Sequence, residues 1–166
     1  MFSDMPVTLD EIDVRLLAEL EADADRPNVA LARLVGLSPA ATLNRVRRLK
    51  ESGVIRRISA RLDSGAAGFP LQVYVLVTLA RHEEAAAQRF GKTVRALPQI
   101  IAADDVTGDV DAVLMVVARD VAELQHVLGQ LSTRGGATRI VTLLRLGELK
   151  RSSPLPLRPA RAERSR

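Results

Sequence analysis

ALARLVGLSPAATLNRVRRLKESGVIRR, residues 30 to 57, reads as the end of a short helix, a glycine turn at Gly36, and a longer basic helix. Ser38 is a good N-cap, and Pro39 suits the first helical position, where its missing N–H costs nothing. Gly53 suits the left-handed residue that follows a helix. Val46 and Leu49, with Leu37 at the entrance and part of Thr42 or Leu43, give the second helix its inward stripe. Ala40, Ala41, Asn44, Arg45, Arg47 and Arg48 are left to look outward. A short apolar helix braced against a basic one lays side chains into the DNA major groove.

Charge supports that reading. The net charge of +4 is unevenly spread. Acids outnumber bases before Ser38. From Ser38 to Arg61 the bases Arg45, Arg47, Arg48, Lys50, Arg56, Arg57 and Arg61 face Glu51 alone. A confined positive stripe attracts phosphate, whereas a merely solvated charged face is the alternative. Aromatics make up only 2% of the chain, which disfavours stacking of single-stranded bases. The chain has no cysteine, so disulfides and thiolate metal sites are excluded. No secretory signal or membrane-length apolar run is visible, so a cytoplasmic protein without membrane contact is expected.

Upstream, Thr8 and Glu11 have capping-box spacing, and Leu9, Ile12, Leu16, Leu17 and Leu20 recur at helical intervals to about Glu21. Asn28 is placed to cap a second helix with Leu31, Leu34 and Val35 inward. Downstream, Ile58 to Leu62 alternates as a strand or extended linker, and Asp63 to Pro70 is a boundary. Leu71 to Leu79 is an apolar strand. Glu83 and Glu84 open a helix that Pro98 ends. Ile100 to Thr107 and Val110 to Ala118 form strands around a Gly108-Asp109 turn. Asp120 caps a helix broken by Gly135-Gly136, and Arg139 to Leu149 is the last strand. The expected class is α+β: a winged helix-turn-helix, then a ferredoxin-like βαββαβ sandwich with helices on one sheet face. The other face is too apolar for water and is expected to pack on a second copy.

These segments resemble the leucine-responsive and asparagine regulator (Lrp/AsnC) family of prokaryotic transcription factors. The likeness rests on LDEIDVRLLAEL from Leu9, LARLVGLSP from Leu31, RVRRLKESGVI from Arg45, the Leu62-Asp63 pair, and VTGDVD from Val106. It spans about Leu9 to Leu149. It implies a DNA-binding domain at 1–57, a linking strand at 58–70, an effector-binding and oligomerising RAM domain at 71–149, and a basic tail at 150–166 that is expected to be disordered. It also implies dimers, or larger tetramers and octamers, built through RAM domains. Double-stranded DNA is the expected partner, contacted by Ser38, Pro39, Ala40, Ala41, Thr42, Asn44, Arg45, Arg47 and Arg48, with Arg56 and Arg57 beyond. An amino acid or related effector is expected at Val106, Thr107, Gly108, Asp109 and Asp111, where Gly108 permits close approach and a carboxylate can hold an ammonium group. Val110 stands where the family often has an aromatic residue, which alters that pocket wall.

No cofactor or metal is expected. Asp104, Asp105, Asp109 and Asp111 cluster, but neither His82 nor His126 has ligand spacing to them. No nucleophile elbow, phosphate loop or dinucleotide fingerprint is present. A non-enzyme is therefore expected. The alternatives are an architectural DNA-binding protein without effector, or a siroheme-decarboxylase-like enzyme, whose histidine-rich and aromatic segments are missing here.

Overall fold

The computed structural model describes residues 7–80, 84–150 and 153–159. They divide into two compact units, 7–60 with 150 and 153–159, and 61–80 with 84–149.

The first unit is built on three helices, α1 (Glu11–Ala22), α2 (Asn28–Val35) and α3 (Pro39–Glu51). Helix α1 starts two residues later than the Thr8/Glu11 expectation. Asp10 is the N-cap, and Asp10 and Asp13 form a reciprocal capping box. Aspartate caps as well as threonine, and the short Asp13 side chain reaches back from the third position. Asn28 is the first residue of α2 rather than its cap, and Pro27 holds the cap position. Leu16, Leu31 and Val35 pack together with Ile12, Leu20 and Leu37 around them. Leu34, expected inward, is 44% exposed, because the narrow stripe of this short helix is completed by Ala32 instead. Thr42, Val46 and Leu49 carry the buried side of α3. No strand follows α3 before Leu71, so no wing is formed among the described residues there.

The second unit runs β1 (Leu71–Leu79), α4 (Glu84–Ala96), β2 (Ile100–Asp105), β3 (Ala112–Ala118), α5 (Val121–Thr133) and β4 (Ala137–Leu144). Glu83, expected to open α4, lies outside the described residues. The antiparallel sheet has the order β2-β3-β1-β4, the ferredoxin-like arrangement read from the sequence. Val73, Val75 and Val77 of β1 face the same core as Leu114 and Val116 of β3, closed by Phe90 of α4 and by Val127 and Leu131 of α5. The register Tyr74↔Met115 and Leu76↔Val113, with Tyr74↔Leu143 and Leu76↔Val141, places these residues together on the opposite face. Tyr74 and Leu143 there are 37% and 48% exposed.

Asp120 caps α5 as expected, accepting from the Glu123 N–H at 2.7 Å. Glu123 in turn accepts from the Arg119 side chain and backbone and from Gln99, which holds its carboxyl down at about pKa 2. Gly135, just past the Arg134 C-cap of α5, is needed there for a steric reason. A Cβ there would stand 2.4 Å from the Leu131 carbonyl oxygen and 3.2 Å from the Phe90 ring. Gly135→Ala is therefore expected to cost roughly 1–3 kcal/mol and lower the melting temperature by about 5–15 °C in a calorimetric scan.

Candidate nucleic-acid interface and effector loop

The turn before α3 is held on both sides. Gly36 adopts φ 72°, and its N–H reaches back to the carbonyls of α2. Ser38 Oγ accepts from the Ala41 N–H at 3.2 Å, the cap the sequence required. Asn28 Nδ2 donates to the Pro39 carbonyl at 2.8 Å and so ties the start of α2 to the start of α3. These contacts fix the angle at which α3 presents its outer side.

Thr42, expected among the groove-facing residues, is instead fully buried, and its hydroxyl donates to the Ser38 carbonyl at 3.0 Å. The stripe that contains Val46 and Leu49 must be completed one turn earlier, and position 42 meets that need. Leu43 accordingly turns out and is 49% exposed. Hydrophobicity alone favours the opposite choice and gives no sign of Leu43 as a surface residue. Only the helical phase set by two buried neighbours could have found it. Ala40, Leu43, Asn44 and Arg47, spaced i, i+3, i+4 and i+7, form one exposed ridge on α3.

The arginines beside this ridge are anchored from α1. Arg45 donates to Asp10 at 2.6 Å and to Asp13 at 2.9 Å. Arg48 donates to the other carboxylate oxygen of Asp13. The Asp13 side chain is only 1% exposed, whereas those of Arg45 and Arg48 are 28% and 55% exposed. A buried carboxylate thus serves as the hub for two cations whose remaining N–H groups stay near solvent. The Asp13 backbone N–H, and then Arg45, hold the Asp10 carboxyl below the usual carboxylate range. Arg47, Arg56 and Arg57 are exposed and continue the positive surface.

In the second unit the hairpin between β2 and β3 holds Val106 to Asp111. Both strands stop earlier than expected, at Asp105 and Ala112, which lengthens the turn. The Val106 N–H donates to the Asp111 carbonyl at 3.1 Å, and the Asp111 N–H donates to the Val77 carbonyl at 2.9 Å. Asp111 Oδ2 accepts the Leu79 N–H at 2.7 Å, so this carboxylate fastens the hairpin to the end of β1. Gly108 has φ 126°, a conformation that only glycine adopts without strain. Thr107 and Asp109 are exposed beside it, and Val110 is half-buried. Asp109 is thus the carboxylate at the open side of the turn. Among the described residues, no group of three or more His, Cys, Asp or Glu is placed to hold a metal ion. No helix among them is long and apolar enough to cross a membrane.

Comparison with known proteins matches both units. Residues 9–50 fit the AsnC-type helix-turn-helix domain, and residues 72–155 fit the Lrp/AsnC ligand binding domain. The chain is 36% identical over 148 residues to the HTH-type transcriptional regulator AldR of Mycolicibacterium smegmatis, covering 89% of this chain and 86% of that protein. It is 34% identical over 145 residues to the leucine-responsive regulatory protein of Rhizobium meliloti, covering 87% and 93%. Among solved structures, a Neisseria meningitidis transcriptional regulator in complex with L-methionine superposes with a TM-score of 0.83 at 29% identity, covering 90% of this chain and 97% of that one. The helix-turn-helix read from GLSP and the βαββαβ order therefore have the same origin: the chain belongs to the Lrp/AsnC family of transcriptional regulators, with an N-terminal DNA-binding helix-turn-helix domain.

Proposed function

We propose that α3 enters the major groove of double-stranded DNA with Ala40, Leu43, Asn44 and Arg47 towards the bases. Arg45, Arg48, Arg56 and Arg57 then hold phosphates on either side. The observation that supports this is the outward ridge flanked by arginines already fixed from Asp13. Fixed cations lose less side-chain freedom on binding than free ones. Leu43 and Ala40 suit a thymine methyl, and Asn44 suits an adenine edge. Ser38 and Thr42 act through the helix, by capping and packing.

Asn44→Ala/Arg47→Ala tests this reading. Binding to the preferred sequence is expected to weaken by about 10- to 100-fold, whereas binding to unrelated sequences, held by the phosphate contacts that remain, should change far less. The melting temperature should not move, since both side chains are exposed. Unchanged affinity in that variant removes α3 from the groove.

The 1–57, 58–70 and 71–149 divisions then correspond to DNA binding, linkage and effector-dependent assembly. The exposed apolar sheet face pairs two copies, and the effector site lies at Val106 to Asp111 beside that pairing. Two solved relatives are described as complexes with L-methionine. Asp109 is the side chain for a ligand ammonium group, with the open backbone at Gly108 beside it. An effector must bind one assembly state better than another to change DNA binding. Titrating a panel of amino acids is expected to find at least one that raises the melting temperature by several degrees and shifts DNA affinity. A panel that moves neither quantity refutes the effector site. The relatives are named as regulators, and Asp111 is engaged by backbone, so the acidic cluster is read as structural and ligand-holding and the protein as a non-enzyme acting on DNA in the cytoplasm.

A further inference from the structure

The C-terminal segment, expected to be disordered, is placed in the first unit over its described residues. The chain leaves that unit after residue 60 and returns to it from residue 150. There Leu155 and Leu157 line a cavity of about 440 Å³ whose other walls are Leu17, Leu20 and Ala24 on one side and Val54 and Ile58 on the other. The Leu155 N–H donates to Glu21 Oε1 at 3.3 Å. Leu157 is half-buried, whereas Leu155 remains 67% exposed.

We propose that Pro154-Leu155-Pro156-Leu157 is a docking strap, and that the groove between α1 and residues 54–58 of the same chain is its receptor. The composition fits the task. The prolines leave the backbone little freedom to lose, the Leu157 N–H closes a tight turn about Pro156 by donating to the Leu155 carbonyl at 2.8 Å, and the leucines supply apolar contact. Prolines also leave few N–H groups needing partners, and Leu155 finds its own in Glu21. The groove wall that the strap covers includes Arg56 and Arg57, which line the same cavity. Residues 56–60 form no helix or strand, and Arg56 to Ser59 line the same cavity as Leu155 and Leu157. Docking thereby positions Arg56 and Arg57 for phosphate. This role rests on the DNA-binding reading above, whereas the docking itself does not.

Two experiments on the full chain separate these parts. The chain has no cysteine, so introduced pairs are unambiguous. Ala24→Cys/Leu157→Cys treated with a short bismaleimide should give an intrachain product. Its yield should exceed by about fivefold that of Glu11→Cys/Leu157→Cys, whose first site lies roughly 18 Å away at the other end of α1. Equal yields, or a covalent dimer in place of the intrachain product, overturn the docking. In the second experiment Leu155→Asp/Leu157→Asp keeps every tail cation. Its DNA affinity should fall about fivefold or more with an unchanged oligomer size, while Arg158→Ala stays within about twofold. Full affinity in the leucine variant, or loss confined to Arg158→Ala, overturns the positioning role and leaves a tail that acts by charge.

Discussion

Removing both partners of Asp13, in Arg45→Ala/Arg48→Ala, is expected to destabilise the helix-turn-helix unit by about 3–5 kcal/mol. The double change strands a carboxylate that is only 1% exposed, with the Asp10 N–H as its one remaining donor. For a unit of this size that loss corresponds to a fall in melting temperature of about 15 °C or more. Urea titration followed by circular dichroism reads it directly. Adding Asp13→Asn to the same background should recover about half the loss, because a neutral amide does not carry the cost of an unpaired buried charge. Arg47→Ala, whose side chain makes no such contact, should stay within about 0.5 kcal/mol. A stable Arg45→Ala/Arg48→Ala protein would show that the hub is ornamental. Loss of Arg47 should therefore act on DNA binding through the surface alone, and loss of Arg45 and Arg48 through the fold as well as through their proposed phosphate contacts. Acid should act on the same hub. The carboxyl of Asp10 is depressed in the folded state, so its contribution is present above the unfolded value of about 3.9 and is lost as pH falls through the folded one.

Tyr74→Arg/Leu143→Arg is expected to abolish the proposed pairing of two copies, raising the dimer dissociation constant by about 100-fold or more. The two residues are register partners at the centre of the exposed sheet face. Both are more than a third exposed in the single chain, so the substitutions leave the core of Val75, Leu114 and Leu131 intact. Two guanidinium groups facing their own copies across a two-fold contact would meet like charge in a desolvated place. Sedimentation velocity should show a monomer of unchanged secondary structure. A variant that still sediments as the wild type would assign assembly to another surface.

Much of the architecture was readable in the sequence because local signals agreed with the global pattern. Leu71 to Leu79 is an unbroken apolar run, and it forms β1 over those same residues. Ser38-Pro39 starts α3 because cap and first-turn preferences coincide there. Reading failed where two candidates were chemically similar and only three-dimensional phase decided. Thr42 is buried and Leu43 exposed because a hydroxyl can be satisfied by the Ser38 carbonyl inside the helix. Thr8 has the familiar capping spacing to Glu11, which hides Asp10 as the cap. The dual engagement of Asp13 could not be seen, since its partners lie 32 and 35 residues away. The hairpin was legible as a turn, but the use of Asp111 as a backbone clamp depends on the end of β1 arriving beside it. For Asp13 and Asp111 the missing information was a contact between distant segments, which no window along the chain contains, whereas for Thr42 and Asp10 it was the choice between two local alternatives.

The interrupted course of the first unit has a practical corollary. Because 61–149 is spliced between its two pieces, clipping the chain once anywhere in that insert cuts their covalent link and leaves only non-covalent contacts such as that of the Leu155 N–H with Glu21. A fragment ending at residue 60 is thus not a faithful miniature of the DNA-reading module. A circular permutant joining the last residues to the first would keep that module whole on a single stretch of polypeptide.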